Sequence, residues 1–441
     1  MSSSSFTPQS KYTLQQPAWS RDAVIYQINT RQYSLTGNFE AVTADLPRIK
    51  ALGADIIWLM PIHPIGEKNR KGSLGSPYAV KDYYGINPEF GSEADFHALV
   101  KAAHSLNMKV ILDWVPNHSA WDCNLVSEHP DWYARDFKGD FRPSPWWDWD
   151  DIIEFDYDNS ALREYMVEAM SYWVKRFDID GFRCDVAGYV PNDFWSQLRA
   201  ALDNIKPVFM LAEWENRDLH EDAFNMTYAW SWHETLTGIA KGTLPLDKLR
   251  KYYSWNERAW PASAYRMTFA TNHDMNAWDG TQEELFGNLL KAIIVLSVIG
   301  EGMPLVHNGQ EAGDTKQLAF FERDPIDWAP HEIGELYSNL IAIKKRISAL
   351  HNGPFGATMI QLPNSKMDQI FSFTRVQGSD KVVVILNLSH QSAVFSINSP
   401  LWPGHYTDLM TGKLFTADAA SELTLDTGEF RLLEYKAADH Q

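Results

Sequence analysis

Four carboxylates in this chain stand at or just past the ends of short apolar runs. Asp113 closes KVILD, Asp185 closes GFRCD, Glu213 closes FMLAE, and Asp274 follows MTFATNH. His118, Arg183 and His273 accompany them. Such a set can do acid–base and nucleophilic work. One carboxylate stays ionised and attacks, while another is held protonated by its surroundings and gives its proton to a leaving oxygen. That division of labour is what breaking a glycosidic bond requires. An arginine two residues before a carboxylate on one strand projects to the same face, so Arg183 is expected to aim Asp185 and keep it charged. Glu213 and Glu215 share strand parity, which leaves the choice between them open. A metal site is the rival chemistry for Asp, Glu and His, and a guanidinium among the ligands argues against it. A single Asp at a strand end is usually a helix cap or loop partner. The whole set at successive strand ends is not explained that way.

The elements that must position these residues alternate. Near-continuous apolar runs at Val24–Ile28, Ile56–Met60, Lys109–Asp113, Gly181–Asp185, Phe209–Ala212, Asn225–Ala229, Arg266–Thr271 and Pro304–His307 read as parallel strands covered on both faces. Helical patterns separate them. Ser92 and Asp95 form a capping signature ahead of Phe96, Leu99, Val100 and Ala103. Leu162, Met166, Ala169, Trp173 and Phe177 keep the same spacing, and Gly53 stops the helix carrying Leu46, Ile49 and Leu52. The expectation is a (β/α)8 TIM barrel. In that fold the reacting groups lie at the C-terminal strand ends. Asp178 and Asp180 precede their strand and are excluded; Asp113, Asp185, Glu213 and Asp274 pass.

Two segments break the alternation. A stretch of about forty residues, Ser119–Asp158, separates the third strand from its helix, a length that in a βα loop is usually functional. It holds Trp121, Trp132, Trp146, Trp147 and Trp149. After Leu350 strand-like runs at Ile370–Arg375, Val382–Leu388 and Ala393–Ile397 predict a small antiparallel β-domain. The expected organisation is a barrel over 1–118 and 159–351, an insertion over 119–158 and a C-terminal β-domain over 352–441.

The 441 residues carry a formal net charge of -18, which disfavours nucleic acid and anionic membranes as partners. No apolar run reaches the ~18 residues of a membrane span. The most apolar stretch, around Leu289–Ile299, contains Lys291 and reads as a buried barrel helix. The serine-rich N-terminus lacks the pattern of a signal peptide. The only cysteines, Cys123 and Cys184, are expected as free thiols, which favours a cytoplasmic setting, although a mature exported chain would look the same. Nothing sets an oligomeric state. The 18 Trp, 18 Tyr and 22 Phe exceed what the core needs, and aromatic faces against sugar C–H faces would account for part of the excess.

These residues bear a resemblance to the α-amylase family, glycoside hydrolase family 13. It is carried by DWVPNH (Asp113–His118), GFRCD (Gly181–Asp185), AEW (Ala212–Trp214) and TNHD (Thr271–Asp274), in the family's order, with YAVKDYYGINPEFGS (Tyr78–Ser92) and GMPLVHNGQE (Gly302–Glu311). The resemblance runs from about Val24 to the C-terminus. It implies that Asp185 is the nucleophile, Glu213 the acid/base, and Asp274 the carboxylate that binds sugar hydroxyls and stabilises the transition state. It implies that Arg183, His118 and His273 line the subsite on the non-reducing side of the cut, with Tyr78 as its aromatic platform and Trp214 as a further substrate-binding residue. Asp113 becomes a structural partner. The insertion resembles domain B and the C-terminal part domain C.

Departures qualify the likeness. Many α-amylases place Lys and His three and four residues after the nucleophile; here Gly188 and Tyr189 stand there. The calcium loop of some relatives after the first strand is replaced by TRQYSLTGNF. The expectation is therefore no cofactor and no required calcium. The DVA of Asp185–Ala187 is closer to the cyclomaltodextrinase and neopullulanase branch. The implied activity is retaining hydrolysis of α-1,4-linked maltooligosaccharides or related α-glucans, short ones better than starch, with maltose or glucose as main products. Transglycosylation on the same scaffold is the alternative, and a non-catalytic interaction module a remote one.

Overall fold

A computed structural model describes residues 13–436; the serine-rich N-terminal run lies outside the described residues. The first ten strands are β1 (Ile25–Ile28), β2 (Ile56–Leu59), β3 (Lys109–Trp114), β4 (His118–Ala120), β5 (Ile152–Glu154), β6 (Gly181–Cys184), β7 (Phe209–Ala212), β8 (Met226–Tyr228), β9 (Tyr265–Thr268) and β10 (Met303–His307). All except β4 and β5 close into a parallel barrel in the order β1-β10-β9-β8-β7-β6-β3-β2. The eight apolar runs all form barrel strands.

Barrel strands bury both faces, which is why their sequences are apolar without alternation. Ile25, Trp58, Ile111, Leu211, Met267 and Leu305 fill the interior. Their neighbours Tyr26, Ile57, Val110, Leu112, Met210 and Val306 pack outward against the helices. The helix Glu93–Ser105 starts at a capping box made by Ser92 and Asp95. Phe39–Leu52 ends at Gly53, whose φ of 111° suits glycine and whose missing side chain leaves room for Ile341. The helix Leu290–Ile299 is buried at every position except Lys291.

Between β3 and the helix Ser160–Phe177 the chain forms the antiparallel β4–β5 ribbon. The Trp residues of 119–158 divide. Trp132 is buried, whereas Trp146 is 89% exposed. Beyond the barrel, β11 (Ile360–Gln361), β12 (Ile370–Gln377), β13 (Asp380–Asn387), β14 (Ala393–Ser396), β15 (Gly404–Asp408), β16 (Leu414–Ala417), β17 (Glu422–Leu425) and β18 (Phe430–Lys436) make a six-stranded antiparallel sheet and a two-stranded one. Leu362, Ile385, Phe395, Trp402 and Tyr406 form its separate core. Arg375 on β12 joins it to the barrel. The fully buried guanidinium donates to the carbonyls of Ile299 (2.9 Å), Gly300 (3.0 Å), His351 (2.9 Å) and Ala357 (2.8 Å). Carbonyls left over at helix ends thus find a partner across the junction.

Candidate active site

The four carboxylates singled out by type and position gather at the C-terminal rim of the barrel, around one buried cation. Arg183 on β6 is 0% exposed. Its Nη1 donates to Asp113 Oδ1 and to Asp185 Oδ1, each at 2.8 Å, and its Nη2 lies 3.1 Å from Glu213 Oε2. The guanidinium is ringed by Trp58, Tyr78 and Tyr228 at 5.2, 5.6 and 5.8 Å from their ring centres. Water is excluded, so charge–charge interactions act at low dielectric and fix geometry strongly. Asp113 accepts two further hydrogen bonds at its second oxygen, from the Trp58 indole at 3.1 Å and the Tyr78 hydroxyl at 2.9 Å. With both oxygens occupied by donors, Asp113 anchors Arg183 and Tyr78.

Asp185 follows β6 by one residue, and its N–H continues the ladder to the Trp114 carbonyl at 2.8 Å. The next residue, Val186, turns into the left-handed region at φ 37° and ψ 46°. A β-branched residue rarely adopts this conformation, at a cost of about 1–3 kcal/mol. The turn aims the Val186 N–H at Glu213 Oε2, 2.7 Å away. Burial raises the Glu213 pKa well above the usual carboxylate range; Asp185 and Asp274 push the same way, while Arg183 and the Val186 hydrogen bond oppose them. A carboxyl held protonated is what proton donation needs. Glu215, open as an alternative from sequence, turns away: it accepts from Ser231 N–H at 2.9 Å and pairs with Arg266. β7 ends at Ala212, so strand parity no longer governs its direction.

His273 is placed by a residue that the sequence reading did not single out. Gln27 on β1, fully buried, meets His273 Nδ1 at 2.6 Å. With Nδ1 accepting from the amide, Nε2 carries the proton and faces the Tyr78 oxygen at 2.8 Å and Asp274 Oδ2 at 3.3 Å. Burial, with Arg183 adding to it, lowers the His273 pKa well below the ordinary value, so the ring is a neutral donor. A chain therefore runs from Gln27 through His273 and Tyr78 to Asp113 and Arg183. His118 is likewise lowered by burial; its Nε2 lies 3.9 Å from Asp185 Oδ2. Burial raises Asp274, against the pull of Arg183. Asp180, excluded by its strand end, stays at the other end of the barrel with His104 at 2.7 Å and Lys109 at 3.2 Å.

Above these groups opens a cavity of about 540 Å³ lined by Tyr78, His118, Asp185, Glu213, His273 and Asp274 among others. That volume lies within the ~300–1,000 Å³ common for ligand pockets. Its walls are aromatic. Trp147 and Trp149 from the insertion stack at 5.8 Å on one side, and Trp278 meets Phe320 at 5.4 Å on another. Trp147 and Trp149 belong to the insertion's Trp cluster. Trp278, Phe320 and Phe321 carry no signal along the chain, because only loop folding brings them to the rim.

Trp214 stands outside this lining. Its ring lies against Gly188, where an added Cβ would fall 2.0 Å from Trp214 Cε2, and it meets Tyr189 at 5.1 Å. The position held by Lys in many α-amylases thus needs glycine here. Among the described residues, no group of three or more His, Cys, Asp or Glu side chains is arranged to hold a metal ion. Cys123 and Cys184 are both free and buried. No helix among the described residues is long and apolar enough to cross a membrane.

A closed parallel barrel with buried carboxylates gathered at its C-terminal rim is the architecture of a glycoside hydrolase. The Alpha amylase catalytic-domain model matches residues 23–335, and the chain belongs to that family. It is 27% identical over 437 residues to alpha-amylase MalA of Haloarcula japonica, covering 93% of this chain and 62% of that protein. The chain thus spans less than two thirds of that relative's length. A noncanonic maltogenic alpha-amylase from Thermotoga neapolitana superposes with a TM-score of 0.87 at 31% identity, over 95% of this chain and 99% of that one. An alpha-amylase from Lactobacillus plantarum gives 0.84 at 33% identity, over 94% and 99%.

Proposed function

We propose that this protein hydrolyses α-1,4-glucosidic bonds in maltooligosaccharides and related α-glucans with retention of configuration. Asp185 attacks the anomeric carbon while Glu213 gives its proton to the leaving oxygen. The bond from carbon to that oxygen breaks, and a covalent glucosyl-enzyme forms on Asp185. Glu213, now ionised, takes a proton from water, whose oxygen displaces Asp185. Asp274, His273 and His118 hold the hydroxyls of the sugar being cut, Tyr78 stacks beneath it, and Arg183, buried behind them, acts on that subsite through Asp185 and Glu213. The same reading divides the chain into barrel (1–118 and 159–351), domain B (119–158) and domain C (352–441).

One observation carries this reading: Arg183, fully buried, contacts Asp185 at 2.8 Å and Glu213 at 3.1 Å, while burial and the neighbouring carboxylates raise the Glu213 pKa against the pull of that arginine. A raised pKa suits Glu213 to proton donation, and Asp185 shares its cavity. The test is incubation with maltotriose through maltoheptaose and soluble starch, with products resolved by chain length. Shorter products support hydrolysis. Products longer than the substrate would mark transglycosylation, for which Tyr189 and Trp278, 45% and 57% exposed, offer aromatic faces to an acceptor sugar. No turnover of any α-glucan would overturn the proposal.

A further inference from the structure

The loop between β2 and the helix Glu93–Ser105 carries Tyr78, and its tip, residues 67–76, is anchored on two sides. Toward the insertion, the Lys71 ammonium donates to the Asp148 carbonyl and lies 3.3 Å from Asp148 Oδ1 and 3.5 Å from Asp150 Oδ1. Toward the loop after β10, the Ser73 N–H donates to Glu322 Oε1 at 2.8 Å, and the Leu74 N–H to the Phe321 carbonyl at 3.1 Å. Beneath the tip, Arg31 is 1% exposed and donates to the Gly75 carbonyl at 2.8 Å. Gly72, at φ 61°, lies so close to this second loop that a Cβ there would fall 2.5 Å from Phe321 Cβ.

Three loops distant in sequence therefore form one continuous wall, and Lys71 and Phe321 both face the cavity. The wall stands on the Tyr78 flank: Phe320 stacks 6.3 Å from Tyr78 and 6.4 Å from His273. A sugar seated on Tyr78 meets it directly. On the flank toward Val186 the connection is slighter, a contact of 3.3 Å between the Trp147 indole and the Tyr189 hydroxyl, side chains that are 56% and 45% exposed.

We infer that Lys71 is a specificity-determining residue: it holds the wall beside Tyr78 shut, so that few sugars extend past the cut bond toward the non-reducing end and the chain is cut near that end. This rests on the α-glucan reading above. Lys71 is the joint because its two carboxylate partners, Asp148 and Asp150, are 94% and 76% exposed and belong to the insertion, whereas the rest of the tip is tied to the barrel. Exposed ion pairs are weak, so this end of the wall is the one that a single substitution loosens.

The experiment compares maltoheptaose with maltoheptaose blocked at its non-reducing end by a 4,6-ethylidene group. The wild-type protein is expected to cut the free substrate at least about tenfold faster by kcat/KM. Lys71→Ala, and more so Lys71→Ala/Glu322→Ala, should narrow that ratio by about fivefold or more, and Lys71→Arg should restore it. Asp148→Asn/Asp150→Asn, which keeps Lys71 but loosens it, should narrow the ratio less. A general loss of stability lowers both rates together and leaves the ratio unmoved. Equal rates on the two substrates in wild type, or an unchanged ratio in the double variant, overturn the inference. Failure of wild type to cut either substrate overturns the hydrolase reading itself and is recognised by that.

Discussion

Arg183 and Asp185 are two residues apart at the end of one strand, and they meet at 2.8 Å through the same nitrogen that holds Asp113. Asp113 takes part in holding the arginine, and the arginine holds Asp185, the proposed nucleophile. Asp185→Asn keeps size and shape but removes the attacking charge. Turnover should fall by about four orders of magnitude or more with the circular dichroism spectrum unchanged. Activity within about tenfold of wild type would remove Asp185 from that role.

As the proposed acid, Glu213 is expected to set the alkaline limb of the pH profile. Burial raises its pKa, with Asp185 and Asp274 adding to the rise. Its protonated form is the proposed acid, so kcat/KM should fall as pH rises through that raised value. Glu213→Gln should erase this limb and lose much less activity on glycosyl fluorides, whose leaving group needs little protonation, than on maltotriose. An alkaline limb unchanged in Glu213→Gln would assign it to another group.

Double displacement predicts retention. Proton NMR in the first minutes of maltotriose cleavage should record the α-anomer of the new reducing end, before mutarotation. Initial β-anomer would rule out a covalent intermediate on Asp185.

Metal independence is expected from Gly188 and Tyr189 and from the TRQYSLTGNF sequence after β1. Incubation with excess EDTA should leave Tm and activity nearly unchanged. A loss of stability restored by added calcium would place a cation at backbone or paired-ligand positions.

Gly188 is predicted to tolerate no side chain. A Cβ there would overlap the Trp214 ring at 2.0 Å, and Trp214 directly follows Glu213. Gly188→Ala should therefore cost about 1–3 kcal/mol in stability and displace the end of β7. Denaturant melts together with kcat on maltotriose test both parts. The companion variant Gly188→Ala/Trp214→Ala should recover part of the lost activity if steric overlap is the cause.

The barrel was legible in sequence because strands buried on both faces must be apolar throughout and helices between them must repeat every three to four residues. Asp113, Asp185, Glu213 and Asp274 could be picked out because a strand end is a fixed place in this fold. The C-terminal sheet was legible only in part: β12, β13 and β14 stand out, whereas β16 and β17 are short and largely exposed on alternating positions, with little apolar signal. Other features depend on chain segments meeting in space. Gln27 on β1 orients His273, which follows β9, from 246 residues away in sequence. Glu215 is sent away from Glu213 by Ser231 and Arg266, although the two share strand parity. Gly188 is explained by a ring that reaches it from another strand end. The wall beside Tyr78 is assembled from Lys71, Asp148, Asp150, Ser73, Phe321 and Glu322, residues whose types carry no shared pattern. Periodicity is a property of a single segment, so sequence reveals the elements. Hydrogen bonds, overlap and closure between loops are properties of pairs of segments, and only the folded barrel decides them.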